Sequence, residues 1–193
     1  SDLPAAGSGN FLTETYISLR RLENDALFEE THGQMMLGME NVIQVSIGQF
    51  YGIEINDFAV TVAKTALWIA ESQMMKETEN IIHMNLDFLP LKSYANIVEG
   101  NALRIDWETV VPKDKLNYIM GNPPFVGYSL QSPEQKQEIL SIYVDEKGKP
   151  YKTAGKIDYV SGWYFKAAEF MLETNIRTAF VSTNSITQGE QVA

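Results

Sequence analysis

Four consecutive residues, Asn122 to Phe125, carry the clearest chemical signal in the sequence. They follow an apolar run of strand length that ends at Gly121. The two prolines lack backbone donors, so the chain leaves the strand as a stiff loop. In an open α/β sheet, ligands bind where the strands end. We therefore expect the Asn122 amide and a neighbouring carbonyl to accept hydrogen bonds from a planar amine that stacks on Phe125. The alternative is a proline turn with Phe125 in the core.

The sequence Asn-Pro-Pro-Phe resembles the catalytic motif of S-adenosylmethionine-dependent amino-methyltransferases, which mostly act on the exocyclic nitrogen of adenine in DNA. The resemblance implies a catalytic loop over residues 116–127. The residues that it marks as catalytic are Asn122, Pro123, Pro124 and Phe125. It also implies that Asn122 contacts the cofactor, S-adenosyl-L-methionine, and that the partner is double-stranded DNA.

A glycine-rich stretch near the N-terminus, residues 4–12, indicates a second ligand-binding loop. Gly7 and Gly9 allow a tight turn and let a ligand approach the backbone closely. The apolar spacing from Thr13 to Leu22 predicts a helix directly after this loop.

This stretch resembles the cofactor loop Asp-Pro-Ala-Cys-Gly-Ser-Gly-Asn-Phe-Leu of the same methyltransferases. It departs from that loop at Leu3, where the acid is expected, and at Ala6, which replaces the cysteine. The cofactor-binding residues that the resemblance implies here are Pro4, Ala5, Gly7, Gly9 and Asn10.

Residues 50–55 indicate a strand that ends in a carboxylate, and Asn56 or Asp57 is expected to cap the following helix. In dinucleotide-binding folds an acidic residue at the end of the second strand binds the ribose hydroxyls. Glu54 has that place, which predicts a cofactor site at Glu54 and Ile55. The alternative is an ordinary acidic residue at a strand end.

Residues 96–103 indicate a third strand and turn. The methyltransferases commonly have Asp at the place of Asn101, where it accepts a hydrogen bond from the adenine amino group of the cofactor. The resemblance therefore implies that Asn101 accepts through its amide oxygen and that Ala102 lies near the adenine ring.

The polar segment 129–156 follows the catalytic loop, and Pro133 is expected to start a short helix in it. The segment is a possible target-side loop, either a lid or clamp beside the site or an ordinary surface insertion. Five lysines make it the place where DNA would touch this chain: Lys136, Lys147, Lys149, Lys152 and Lys156. Over residues 158–189 we expect a helix capped by Asp158 and then a strand.

Composition restricts the chemistry. The chain has 193 residues and no cysteine, which excludes disulfides, thiolate zinc sites and the cysteine nucleophile that methylation of cytosine carbon 5 requires. Two distant histidines give no support for a metal site. The formal charge of −10 opposes DNA binding through phosphate contacts, so we expect another part of the protein to grip the DNA. No apolar run is long enough to span a membrane, and we expect a cytoplasmic location.

Strand and helix signals alternate, which predicts the α/β class with a mainly parallel sheet. The resemblance implies the Rossmann-like doubly wound fold of class I methyltransferases, with residues 1–193 as a core truncated at both ends and without its target-recognition domain. The amino-acid sequence resembles that of the MmeI-like restriction–modification subgroup at residues 52–59, 156–160 and 180–189. The implied reaction is methylation of adenine N6 in DNA. The alternatives are a protein-glutamine or RNA amino-methyltransferase, cytosine N4 as the target, or a non-catalytic cofactor-binding module. The oligomeric state is left open.

Overall fold

The computed structural model describes residues 10–31, 42–83, 85–86 and 95–187. Helices are interspersed with parallel strands along these residues, which confirms the α/β class. The helices are α1 Asn10–Thr31, α2 Asp57–Ile82, α3 Pro133–Ile142 and α4 Ser161–Met171. The strands are β1 Tyr51–Glu54, β2 Asn96–Glu99, β3 Tyr118–Gly121 and β4 Arg177–Phe180. Short 3-10 turns cover Ile47–Gln49, Trp107–Thr109, Lys113–Lys115, Tyr128–Leu130, Ala154–Lys156 and Asn184–Thr187.

The four strands form two parallel pairs. β1 pairs with β2 in the register that sets Glu54 opposite Glu99, and β3 pairs with β4 with Gly121 opposite Phe180. The expected parallel pairing is confirmed, but a single doubly wound sheet is not present among the described residues. The physical reason is that no described strand bonds to the second edge of β1 or of β3, so the two pairs stay separate.

A largely apolar cavity of about 530 Å³ lies between the two pairs. Its lining includes three consecutive residues of β1, 51–53, and three consecutive residues of β3, 118–120. Successive side chains of a strand point to opposite faces, so a cavity lined by consecutive residues borders the edge of the strand. The unpaired edges of β1 and β3 therefore face the same space.

Local chemistry explains where the helices begin. Asn56 is the N-cap of α2, as predicted, and its side chain accepts a hydrogen bond from the Ala59 backbone at 3.1 Å. Ser132 and Gln135 form a capping box at the start of α3, with Pro133 in its first turn. The prediction that Asp158 caps α4 is wrong, because the cap position is Val160 and makes no side-chain cap.

Helix α1 is longer than the predicted segment from Thr13 to Leu22, because a buried polar network continues to hold it against α2. Arg20 has no exposed surface and donates to Thr78 of α2 at 2.6 Å. The Thr78 hydroxyl donates in turn to Asn24 at 2.6 Å. These bonds satisfy buried groups that would otherwise be costly, and they fix the two helices together.

The buried apolar residues form two clusters. One lies between α3, α4, β3 and the turn after β2, and the other lies between α1, α2 and the β1–β2 pair. Lys166 of α4 lies at the margin of the first cluster, where its ammonium donates to the carbonyl of Ile105 and lies 5.7 Å from the centre of the Trp107 ring. Burial lowers the pKa of Lys166 to about 8. Within the described ranges, no helix is both long and apolar enough to cross a bilayer.

Candidate active site

The loop after β3 is held on both sides. The carbonyl of Gly121, the last residue of β3, accepts from the Val181 backbone at 2.9 Å. Beyond the loop, the Val126 carbonyl accepts from the Tyr159 backbone at 2.9 Å. Asp158, which does not cap α4, instead accepts from the Tyr128 backbone at 3.1 Å. The loop thus spans two fixed points, and its conformation is constrained further by its prolines.

Within this loop the two side chains with predicted chemistry point away from the core. Asn122 is exposed, and no hydrogen bond within the described residues uses its amide. Phe125 is 46% exposed, whereas Pro123 is fully buried and Pro124 is partly buried. The alternative in which Phe125 belongs to the core is therefore not what the structure shows. An exposed amide and a half-exposed ring lie together on an anchored loop.

Glu54 ends β1 and is almost completely buried, with 1% of its surface exposed. Its Oε1 accepts from the Ile55 backbone at 2.9 Å and, more weakly, from the Asn56 backbone at 3.4 Å. Ile55 is 43% exposed. A ribose hydroxyl can reach the Glu54 carboxylate only by replacing protein atoms that cover it, so the predicted ribose contact remains a prediction.

Asn101 lies just beyond β2 and uses both ends of its amide. Oδ1 accepts from the Leu103 backbone at 2.9 Å, and Nδ2 donates to Glu138 of α3 at 2.9 Å. A carbonyl oxygen has two lone pairs, so Oδ1 retains the capacity to accept one more hydrogen bond. Ala102 has no exposed surface, and its carbonyl already accepts from Trp107 at 2.9 Å, so its predicted place near the adenine ring remains a prediction.

The other predicted cofactor residues are at the N-terminus. Asn10 is the first residue of α1 and is exposed. Pro4, Ala5, Gly7 and Gly9 lie outside the described residues. Their predicted contacts with the cofactor remain predictions.

The segment 129–156 is only partly a surface insertion. Helix α3 packs into the core through Ile139, which is 1% exposed. Tyr143 continues this contact, since its ring centre lies 4.4 Å from that of Phe165 and its hydroxyl donates to the Ser161 carbonyl at 3.1 Å. Residues 145–153 are mostly exposed. A moving part of this segment would therefore be the turn after α3 and not the helix.

No sequence pattern indicated Glu138, which the structure places between Asn101 in the turn after β2 and Tyr159 beside the loop after β3. Its carboxylate accepts from Asn101, from Arg104 and from the hydroxyl of Tyr159. Burial, followed by the neighbouring Glu138 carboxylate, raises the pKa of Tyr159 well above its ordinary value. Asn101 follows β2 and Tyr159 is bonded to the loop after β3, so Glu138 joins the ends of the two strand pairs. A glutamate within a polar helical stretch gave no local signal of this role.

Comparison with known proteins identifies the family of this chain. The family described as "MmeI, DNA-methyltransferase domain" matches residues 2–193. DNA methyltransferase A of Bacillus subtilis (strain 168) is 44% identical over 195 residues, which cover 98% of this chain and 21% of that protein. The structure of the Type IIL restriction–modification enzyme MmeI in complex with DNA is similar at a TM-score of 0.86 and 45% identity, over 96% of this chain and 24% of that chain. The chain thus spans about a quarter or less of the length of these relatives. The family match covers nearly the whole chain, so this chain belongs to the DNA-methyltransferase domain family of MmeI.

Proposed function

We propose that this chain is the catalytic core of a longer protein that methylates the N6 amine of adenine in double-stranded DNA, with S-adenosyl-L-methionine as methyl donor. The observation that carries the proposal is the exposed amide of Asn122, next to half-exposed Phe125 on an anchored loop. Membership in a DNA-methyltransferase domain family supports the reaction class. The relative solved in complex with DNA supports DNA as the substrate.

Asn122 and Pro123 would act on the target amine as hydrogen-bond acceptors. An exocyclic amine has two N–H donors, and its lone pair is conjugated with the ring. The Asn122 oxygen would accept one hydrogen, and the Pro123 carbonyl, which is buried in this structure, would accept the other once the incoming base displaces the atoms that cover it. Together the two bonds favour a pyramidal nitrogen with its lone pair directed out of the ring plane. Bound S-adenosyl-L-methionine would supply an electrophilic methyl group, and its sulfur would keep the electron pair of the broken S–C bond and leave as a neutral thioether. No strongly basic side chain is needed, because the amine proton becomes acidic only as the nitrogen forms its new bond and can then pass to water.

Phe125 would hold the base after it leaves the duplex. Extruding a base costs a few kcal/mol. Stacking on an aromatic side chain contributes about 1–3 kcal/mol per base and so offsets part of this cost. The exposed fraction of the Phe125 ring, 46%, is the surface available for that contact.

The cofactor would be held by the strand ends on the other side of the site. Asn101 offers the remaining lone pair of Oδ1, and Glu54 offers a carboxylate at the end of β1. Both are oxygen acceptors, which suits the amino group of an adenine and the hydroxyls of a ribose. The backbone of the N-terminal glycine loop and Asn10 would complete the site.

Most DNA contacts would come from parts of the protein outside this chain. The chain carries 25 acidic and 15 basic residues, which gives little net attraction for phosphates. It also corresponds to only 21% of the length of the Bacillus relative, so a longer protein has room for a separate DNA-reading part. Within this chain, the exposed lysines of segment 129–156 are the candidates for phosphate contact.

The proposal is tested by replacing Asn122 with Ala in the full-length protein. We expect methylation to be lost while unfolding free energy changes by less than about 1 kcal/mol, because the side chain is exposed. Asn117→Ala is the matched control, since Asn117 is also exposed but precedes β3. Mass analysis of nucleosides from treated DNA identifies the product. N4-methylcytosine in place of N6-methyladenine would refute the target assignment, and wild-type turnover by Asn122→Ala would refute the mechanism.

We also propose that one further parallel strand fills the cavity and joins the two pairs into a doubly wound sheet. The backbone carbonyls of Phe50 and Glu54 accept hydrogen bonds from the β2 side. The backbone N–H and C=O of successive residues point alternately to the two edges of a strand, so those of Ile53 point into the cavity. By the same alternation, the amide of Met120 points into the cavity, because the carbonyls of Asn117 and Gly121 bond towards β4. Neighbouring strands of a sheet lie about 4.8 Å apart, so a strand placed between these two edges would hydrogen-bond directly to both of them.

Hydrogen exchange in the full-length protein tests this arrangement. The amides of Ile53 and Met120 should exchange about as slowly as those of Gly52 and Ile119, which face strands already present. Fast exchange at Ile53 and Met120, with slow exchange at the two control amides, would show that the edges remain unpaired.

A further inference from the structure

The carboxylate of Glu138 is the common acceptor for three side chains from two other segments. It is 8% exposed and lies on α3. Oε1 accepts from Asn101 Nδ2 at 2.9 Å and from Arg104 Nε at 2.7 Å, and a second guanidinium nitrogen lies 2.6 Å away. Oε2 accepts from the hydroxyl of Tyr159. An ionised carboxylate has enough lone pairs for all of these donors.

These bonds allow only one orientation of the Asn101 amide. The Leu103 backbone N–H can only donate, so the atom facing it must be the amide oxygen. The ionised Glu138 carboxylate can only accept, so the atom facing it must be the amide nitrogen. Rotating the amide by half a turn would set donor against donor and acceptor against acceptor. Glu138 therefore helps to fix the direction in which the Asn101 oxygen points.

The same carboxylate also reaches the loop that follows β3. Tyr159 donates to Glu138 through its hydroxyl, and its backbone N–H donates to the Val126 carbonyl at 2.9 Å. Val126 directly follows Phe125. Glu138 therefore bonds directly to Asn101, the proposed cofactor acceptor. It is also linked, through Tyr159 and Val126, to the loop that carries Phe125, the proposed base-stacking ring.

We propose that Glu138 is a positioning residue that orients Asn101 towards the cofactor and ties it to the base-binding loop, and that this requires an asparagine and not an aspartate at position 101. The inference rests on the proposed function, because it assigns Asn101 to the cofactor. An aspartate at this position has no donor for Glu138 and would place a second carboxylate about one hydrogen-bond length from the first. Like charges at that distance do not both stay ionised in place, so the turn at 101–104 would shift or a proton would be taken up.

The proposal predicts that exchanging the two side-chain types, in N101D/E138Q, restores the affinity for S-adenosyl-L-methionine that N101D alone removes. In N101D/E138Q the amide introduced on α3 can donate to the carboxylate introduced after β2, while the oxygen of that amide can still accept from the Tyr159 hydroxyl. The hydrogen bond between residues 101 and 138 is reversed in direction, and the two Arg104 bonds to the former Oε1 position are lost. The Arg104 side chain is 64% exposed, so it can turn to the carboxylate introduced at position 101, which keeps one negative charge beside it. In E138Q alone, the new amide can donate to the Tyr159 oxygen, so most bonds survive.

The experiment compares N101D, E138Q and N101D/E138Q in the full-length protein, with Gln137→Ala as the control for an exposed change on the same helix. The readouts are the calorimetric Kd for S-adenosyl-L-methionine, the rate of DNA methylation and the melting temperature. We expect N101D to weaken cofactor binding by about tenfold or more, and the double variant to bind within about threefold of wild type, as directly coupled residues do. E138Q should weaken binding less than N101D does, because its amide oxygen can still accept from Asn101, and Gln137→Ala should stay within about threefold of wild type.

The outcomes separate this inference from the proposed function. If the wild-type protein does not bind S-adenosyl-L-methionine, the proposed function is refuted and the positioning role falls with it. If wild type binds and methylates, but N101D binds equally well or the double variant is no better than N101D, the positioning role alone is refuted. A lower melting temperature of N101D with an unchanged Kd would show that the network is structural only.

Discussion

Replacing Phe125 by Ala tests whether the ring is there for the substrate or for the fold. The ring is 46% exposed, so only about half of its surface is buried by the protein. Full burial of a Phe side chain contributes about 1.5–3 kcal/mol, so we expect a loss of about 0.8–1.6 kcal/mol in unfolding free energy. Loss of base stacking should cost about 1–3 kcal/mol in binding, which is about fivefold to 150-fold.

Two DNA duplexes separate stacking from every other contact. One contains the target adenine, and the other lacks only that base. Phe125→Ala should weaken binding to the intact duplex and leave binding to the abasic duplex unchanged, because only the intact duplex offers a ring for stacking. Phe125→Trp should keep most of the affinity, since indole also stacks.

Phe170→Ala is the control for a ring that belongs to the core. Phe170 is 7% exposed and its ring centre lies 5.6 Å from that of Trp107. Its truncation should cost about 3–5 kcal/mol in unfolding free energy, as for other buried aromatics. If Phe125→Ala lowered the unfolding free energy as much as Phe170→Ala while binding to the intact duplex did not change, the reasoning about Phe125 would be refuted.

Two further predictions concern charge. Glu54→Ala should weaken S-adenosyl-L-methionine binding by about 1.5–3 kcal/mol, as for hydrogen bonds to a charged group. The control is Glu99→Ala, which changes the exposed residue opposite Glu54 in register and should leave binding unchanged. Equal calorimetric affinities of the two variants would remove Glu54 from the site. Because burial lowers the pKa of Lys166 from 10.5 to about 8, the unfolded chain holds a proton above pH 8 that the folded chain has lost, so stability from this group rises with pH up to about 10. Lys166→Met should flatten the dependence of urea-unfolding free energy on pH between 8 and 10, and an unchanged slope would contradict the lowered pKa.

Features with a short-range cause were predictable from sequence. Pro123 and Pro124 dictate a stiff loop after a strand whatever surrounds them. Asn56 caps α2 because its side chain reaches an amide only three residues away, at 3.1 Å. The strand ends at Glu54 and Gly121 followed from apolar runs that stop at polar or turn residues.

Features that depend on distant residues were not predictable. Glu138 is recognised by Asn101, 37 positions earlier, and by Tyr159, 21 positions later. Asp158 is a residue type that often caps helices, but here it accepts a hydrogen bond from the backbone N–H of Tyr128, 30 positions away. These long-range hydrogen-bond partners depend on how α3 and α4 pack against the rest of the chain, which no local sequence pattern predicts.

The gap between the two strand pairs has a consequence for folding cooperativity. The cluster around α3 and α4 contacts the β1–β2 pair through Ile53 of β1 and through Ala102 and Leu103 of the turn after β2, whereas the other cluster lies against β1 and β2. Two halves joined mainly through one strand residue and one turn can unfold at different denaturant concentrations, as separate cooperative units. A strand inserted between β1 and β3 would bond to both halves, so the core would then unfold in one transition instead of two. Counting the unfolding transitions in denaturant would therefore report whether the sheet is complete, in addition to how stable it is.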